Sequence, residues 1–344
     1  MAVVTILGAG AMGSALTSPA LAAGHEVRLW GTWLDDAILA HLRAGRPHPR
    51  IDVTIDPRTR LFDAADLGAA LDAADLVVLA ISSDGVVEVL RRAVPHLRPG
   101  PALLVTTKGF GYDPDGRVSL LPPLLEAVLP DALRTACPIV AIGGPCKANE
   151  VGVGRPTATI FGSPDRAVAE RAAGVLGTPT YRIATTDDIA GVEASAAMKN
   201  VYAIALGVSD GLEELGGMPW HNLKSATFAQ AAAELQRLAV ELGGRAATAV
   251  GLAGVGDLEV TGLSGRNKVY GARIGRGEEA GAALAAMVAA GQTVEGVAAA
   301  RFAGELAAQR NLTDLPLLRA IVEVLDGGDD PAGRIAEAVL PAER

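Results

Sequence analysis

A lysine interrupts an apolar helical stripe near the middle of the chain. In the stretch EASAAMKNVYAIALG, residues 193–207, helical spacing puts Ala196, Lys199, Tyr202, Ala203 and Leu206 on one face together with the preceding Val192. Taking an ammonium out of water is costly, so Lys199 either carries its charge to a nearby edge or points into a cleft where the charge is used. The helix alone leaves both readings open. Composition adds weight to the second: only five of the 30 Lys+Arg residues are lysines (Lys108, Lys147, Lys199, Lys224 and Lys268). Arginine keeps its proton near neutral pH and its planar fork does not fit where a compact ammonium fits, so these five mark positions where arginine would fail. A second pattern lies at the start of the chain, where VVTIL runs into GAGAMG and places Gly8, Gly10 and Gly13 in G-x-G-x-x-G spacing. Such glycines permit a tight turn, a close approach of pyrophosphate to the backbone, and close packing of helix on strand, with the phosphates at the helix's positive end.

The elements that must hold these residues can be read in outline. A strand at Val3–Leu7, a helix towards Gly24 and a strand at Glu26–Trp30 make the βαβ unit a dinucleotide site requires, although Pro19 is expected to disturb the helix. Short, continuously apolar runs at 75–80, 102–106 and 138–142 suit strands covered on both faces. Ser82 and Ser83 end the first of these, either capping the next helix or lying where a cofactor would cross the sheet edge. Extra strands are expected at 157–161 and 180–183. Beyond Asp187 helical patterns take over, at 188–208, 222–242 and 299–309. The fold class is therefore α/β: an N-terminal Rossmann-type doubly wound sheet over 1–186, then an all-helical C-terminal domain over 187–344. Lys199 opens the second domain, beside the interdomain cleft where ligands preferentially bind.

Composition narrows the partners. The formal charge of −9 gives no basic footprint for nucleic acid or an anionic membrane, so an anionic substrate would need a local basic pocket. Alanine accounts for much of the apolar character, and no run suggests a membrane span. The N-terminus has no basic leader ahead of a long apolar stretch, and Cys137 and Cys146 make neither a disulfide framework nor a metal site. A cytoplasmic location is expected.

Several further motifs join these: TTKGF at 106–110, GGPCKANEV at 143–151, AAMKNVYAIALG at 196–207, GVGDLEVT at 254–261, GRN at 265–267 and VEG at 294–296. In type, order and spacing the chain resembles the NAD(P)-dependent glycerol-3-phosphate dehydrogenases along nearly its whole length. The resemblance implies reversible hydride transfer between a nicotinamide, NAD or NADP, and C2 of glycerol 3-phosphate to give dihydroxyacetone phosphate. It assigns Lys199 as proton donor and acceptor at the substrate oxygen, Lys108 as a second ammonium near the carbonyl or phosphate, and Asp257 as the group that orients Lys199. Partial desolvation and a neighbouring ammonium would both suit a lysine to this work. Gly144, Thr261, Arg266 and Asn267 would join Lys108 around the substrate, Arg266 meeting the phosphate with its fork. Gly8, Gly10, Ala11, Met12, Gly13, Ser82, Ala148, Arg266 and Glu295 would contact the cofactor. The family also implies a homodimer, a small phosphorylated substrate and a place in glycerophospholipid metabolism.

The chain departs from the family in several places. LWGTWLDD puts Gly31 and Thr32 where bacterial members often carry an arginine near the ribose, which favours NAD; Asp35 and Asp36 come late for an acidic residue at the strand end. Arg43 or Arg46 would be the fallback for NADP. Cys146 and Lys147 replace the small polar and bulky apolar residues usual there, and the longer loop after Gly207 carries Trp220 and His221, so these three could remodel the pocket towards another phosphorylated polyol. The β-hydroxyacid dehydrogenases share the layout, but their catalytic lysine is followed by asparagine four residues on, whereas Lys199 and Asn200 are adjacent. A non-catalytic NAD(P)-binding sensor would have no need of Lys199, Asp257 and Arg266 together.

Overall fold

The computed structural model describes residues 1–341. Two compact units divide the chain: the first joins Met1–Lys108 to Leu120–Glu193, and the second joins Gly109–Ser119 to everything from Ala194 onward.

The strands are β1 (Val3–Leu7), β2 (Glu26–Trp30), β3 (Arg60–Phe62), β4 (Leu76–Leu79), β5 (Ala102–Val105), β6 (Phe110–Tyr112), β7 (Val118–Leu120), β8 (Ile139–Gly143), β9 (Thr157–Gly162) and β10 (Tyr181–Thr186). The first unit's sheet has the order β10-β9-β8-β5-β4-β1-β2-β3. Its neighbours run parallel except β8 and β9. Apolar side chains leave both faces: Ile6, Leu29, Val78 and Leu104 pack on one side, and Leu7, Trp30, Leu79 and Val105 on the other. That two-sided burial is why these strands read as unbroken apolar runs. Register pairs Leu7 with both Trp30 and Leu79, and Leu79 with Val105. Four strands therefore end together, and the loops after them share one edge.

The helix Ala11–Ala22 continues through Pro19, against expectation. The proline costs one rung of the ladder, the bond its missing N–H would donate to Ala15 O, and the helix carries on for three residues beyond it. Strands β3, β6 and β7 had no sequence signal. From Ile189 on, the described residues form helices alone, as expected; the β6–β7 pair, from the N-terminal part of the chain, clusters almost wholly with them in the second unit. Phe302 holds it there, with ring centroids 6.5 Å from Phe110 and 5.1 Å from Tyr112, while the Tyr112 hydroxyl donates to Glu305 at 2.7 Å.

The second unit is built on the lysine helix, Ile189–Gly216, which begins in the first unit and runs well past the expected end at 208. It crosses the arginine helix, Arg266–Gly275, main chain against main chain. A Cβ on Gly207 would lie 2.1 Å from Lys268 O and one on Gly211 2.1 Å from Ala272 O; on the facing helix, one on Gly271 would lie 1.9 Å from Ile204 O and one on Gly275 2.2 Å from Val208 O. Glu234, on the helix His221–Glu241, ties two more elements together. Its buried carboxylate accepts from the Tyr202 hydroxyl at 3.0 Å and from the Leu317 and Leu318 amides at 2.6 and 2.9 Å, covering the start of the helix Pro316–Leu325.

Candidate active site

In the first unit each glycine of GAGAMG has its own task. Gly8 turns the chain at φ +109°, and a Cβ there would meet Ala80 O at 2.5 Å. A Cβ on Gly13 would strike Gly8 O at 2.0 Å, so the helix can lie this close to the loop only without one. Gly10 is different: a Cβ would meet nothing within 4 Å. The space over Gly10 is open, and it caps a twelve-residue helix whose first amides, at Ala11, Met12 and Gly13, face no capping side chain. Open space against unsatisfied amides at a helix start suits the pyrophosphate of a dinucleotide. Further along the same edge, the Thr106 and Thr107 hydroxyls donate to Leu79 O (3.1 Å) and Ile81 O (2.7 Å), fixing the loop that delivers Lys108. The next helix, Val86–Ala93, is capped at Gly85 without a side-chain bond, so Ser82 does not serve as its cap. Gly144 adopts φ +110° after β8, with a Cβ blocked by Thr159 Cα at 3.0 Å, and Ala148 opens the short helix Ala148–Gly152.

The second unit gathers most of the charged candidates. Lys199 is 9% exposed and its ammonium is paired with the carboxylate of Asp257, which is wholly buried. Asp257 begins the helix Asp257–Leu263 directly after a π-helical turn at Leu252–Gly256, an irregularity that often marks functional positions. One turn on, the Thr261 hydroxyl donates to Asp257 O at 2.6 Å, leaving its oxygen free only to accept. Arg266, the first residue of its helix, is half-exposed and holds the Thr293 hydroxyl at 2.7 Å and Glu295 at 3.2 Å. Glu295 also accepts from Asn200 Nδ2 at 3.4 Å. Asn267 is buried and both ends of its amide are in use: Nδ2 donates to Asn200 Oδ1 at 3.0 Å, and Oδ1 accepts from the Gly296 amide at 2.9 Å. Its side chain is thus a clamp between three helices.

Family models for the N-terminal and C-terminal parts of NAD-dependent glycerol-3-phosphate dehydrogenase match residues 3–169 and 188–336. This chain belongs to that family. The NADP(+)-dependent glycerol-3-phosphate dehydrogenase of Archaeoglobus fulgidus is 37% identical over 327 residues, covering 95% of this chain and 96% of that protein. The glycerol-3-phosphate dehydrogenase [NAD(P)+] of Symbiobacterium thermophilum is 37% identical, covering 95% and 91%. Among solved structures, the Coxiella burnetii glycerol-3-phosphate dehydrogenase superposes with a TM-score of 0.82 at 27% identity over 98% of each chain. The Plasmodium falciparum enzyme, at 18% identity and a TM-score of 0.84, shares the fold.

Within the family frame, the expected residues fall into two sets. The second unit brings together Lys199 with Asp257, and Arg266 with Asn267 and Glu295; the first holds Lys108, Ser82, Gly144, Ala148 and the glycine loop. Lys224 and Lys268 both pair with Asp210, at 2.6 and 3.0 Å, so those two lysines serve packing of the helices. Trp220 and His221 follow the far end of the lysine helix; 17 residues separate Lys199 from Gly216, about 25 Å of helical rise. That distance places them away from Lys199 along the helix. Sequence reasoning missed Thr293 and Asn200, although Asn200 adjoins the lysine, and it set aside Asp35.

Proposed function

We propose that this chain interconverts sn-glycerol 3-phosphate and dihydroxyacetone phosphate, with Lys199 moving the proton and Arg266 holding the phosphate. Membership of the family makes it an NAD(P)-dependent oxidoreductase. The observation that carries the residue assignment is the buried Lys199–Asp257 pair: an ammonium in an apolar helix, held by a carboxylate with no other route to water. Bound along the first unit's strand edge, the nicotinamide supplies or accepts the hydride. In the reducing direction Lys199 Nζ donates a proton to the substrate oxygen as that oxygen gains charge, and in the oxidising direction it accepts one. Asp257 limits where the ammonium can point. Arg266 exchanges Glu295 and Thr293 for the substrate phosphate, which offers its fork a doubly charged partner. The Asn267 amide and the remaining acceptor capacity of Thr261 complete the substrate contacts. Lys108 is the second ammonium, Gly144 gives the substrate its main-chain boundary, and Ser82, Ala148 and Glu295 line the cofactor.

The enzyme is read as cytoplasmic and homodimeric. No helix among the described residues is long and apolar enough to cross a membrane, and Leu215, Met218 and Trp220 expose apolar surface that a second copy would cover. Light scattering of the purified protein gives the oligomer directly.

The deciding assay follows the nicotinamide absorbance with dihydroxyacetone phosphate in wild type, Lys199→Met and Lys199→Arg. Arginine keeps the charge but cannot release its proton at neutral pH, so both variants should be inactive while still binding NADH. Near-normal turnover by Lys199→Arg overturns the assignment.

A further inference from the structure

Residues 44–59 form no helix or strand, a long connection for a compact unit, and loops of that length usually carry a task. Within it lies RPHPR, residues 46–50, whose His48 is wholly buried. Pro49 disfavours a helical backbone at His48, and the main chain closes a turn instead. The His48 amide donates to Val53 O at 2.9 Å, and His48 O accepts from the Ile51 and Asp52 amides at 3.2 and 2.9 Å. Val53 packs this turn on the helix Ala148–Gly152, where a Cβ on Gly152 would lie 3.0 Å from Val53 Cγ1.

Both ring nitrogens of His48 are committed. Nδ1 accepts from the Arg50 amide at 3.1 Å, so the ring proton sits on Nε2, which donates to Ala9 O at 3.0 Å. The first bond is local to the turn; the second reaches into the glycine loop. Ser14 Oγ donates to the same carbonyl at 3.1 Å, which fills both of its lone pairs, and the Ala9 amide donates to Asp35 Oδ2 at 3.4 Å. A trans peptide carries its C=O and N–H on opposite sides, and no peptide in the described chain is cis. With Ala9 O held by His48 and Ser14, the Gly10 N–H is turned away from both. No group among the described residues accepts from it, and the space over Gly10 is open.

We propose that His48 is a positioning residue for the cofactor: by holding Ala9 O it keeps the Gly10 amide presented to the pyrophosphate. His48 itself touches no ligand. Its partner is what ties it to binding, because a rotated Ala9–Gly10 peptide would turn a carbonyl oxygen, instead of an N–H, towards the phosphates. A histidine serving the turn alone would need only the Arg50 bond. The inference rests on the reading that the glycine loop receives the pyrophosphate.

Two variants separate the two bonds. The side-chain amide in His48→Asn reaches as far as Nδ1, so it keeps an acceptor for Arg50 and drops Ala9; in His48→Gln it reaches as far as Nε2 and keeps a donor for Ala9 O. Titrated with NADH by protein fluorescence quenching, His48→Asn should bind about three- to tenfold more weakly than wild type, the worth of one hydrogen bond, and His48→Gln within about twofold. ADP, competing with NADH, should weaken in His48→Asn by the same factor, while adenosine, which has no phosphate, should compete as well as before. Unchanged NADH affinity in His48→Asn overturns the inference, as does an equal loss in His48→Gln. Equal weakening of adenosine, the mark of a loosened unit, also overturns it. Gly10→Ala tests the reading beneath: NADH affinity kept in that variant removes the loop site and the part of His48 with it, whereas a loss there without one in His48→Asn removes His48 alone.

Discussion

The glycine loop of the first unit and the charged cluster of the second are built on opposite plans. The loop is made by omission: Gly8 and Gly13 lack the Cβ atoms that would collide with Ala80 O and Gly8 O, and Gly10 leaves open space above the helix start. The cluster is made by mutual satisfaction: Lys199 holds Asp257, Arg266 holds Glu295 and Thr293, and Asn267 joins Asn200 to Gly296. A site of the first kind is rigid and ready before ligand arrives. One of the second kind must exchange partners, so its charges cost less to keep in the folded protein and more to redirect.

Substitutions that strike one plan and spare the other measure this difference. The largest effect belongs to the cluster: Lys199→Met should lower kcat about 10²- to 10⁴-fold, the usual contribution of a positioned acid–base group, with NADH affinity kept. Parallel loss of NADH binding in fluorescence titration would merge the two sites and break the contrast. Next comes Arg266→Ala, which should raise KM for dihydroxyacetone phosphate on the order of 10²-fold, about 2–3 kcal/mol for a charge pair formed away from water; Glu295→Gln, by freeing Arg266 from its resting partner, should move KM the other way. Steady-state kinetics on the two variants gives both signs.

The loop answers differently. Gly13→Ala should cost about 1–3 kcal/mol of stability, the range for overpacking, whereas Gly10→Ala should leave the melting temperature nearly unchanged and still weaken NADH binding. Equal melting shifts would mean that Gly10 is also a packing glycine. The smallest effect is that of pH on the loop. Burial pushes the His48 imidazole below its ordinary value of 6.5, its hydrogen bond to Ala9 O opposing. The unfolded chain therefore binds the proton first as pH falls, so the stability held by neutral His48 is complete above pH 6.5 and drains away as pH drops through the lower folded value. Denaturant melts between pH 7 and 5 should show a loss of stability that His48→Gln removes.

The same contrast explains what could be read from the chain beforehand. Glycine spacing reports directly on backbone tasks, so the loop, β1, β2 and the common strand edge were legible. Apolar runs located the inner strands because both faces are covered. The place of Asp35 was not legible, since it depends on a loop doubling back over Gly31 to meet Ala9 in the glycine loop after β1. The β6–β7 pair escaped notice because its three-residue strands are held by Phe302 and Glu305, nearly 200 positions away in sequence. Family motifs named Asn267, but only the folded chain reveals that its amide is spent on Asn200 and Gly296. Pro19 misled because one missing rung does not end a helix whose buried face, Leu16, Ala20 and Leu21 among it, is packed in the core.

The crossing of the lysine and arginine helices has one more consequence. Side-chain interfaces yield by changing rotamers, but Gly207, Gly211, Gly271 and Gly275 have no rotamers to change. The span between the helix that carries the proposed proton donor and the helix that begins with the proposed phosphate anchor is consequently metered by the van der Waals radii of main-chain atoms. The crossing is a gauge block. The backbone thus fixes where the two side chains start, and only the reach of Lys199 and Arg266 themselves is left to adjust to what lies between them.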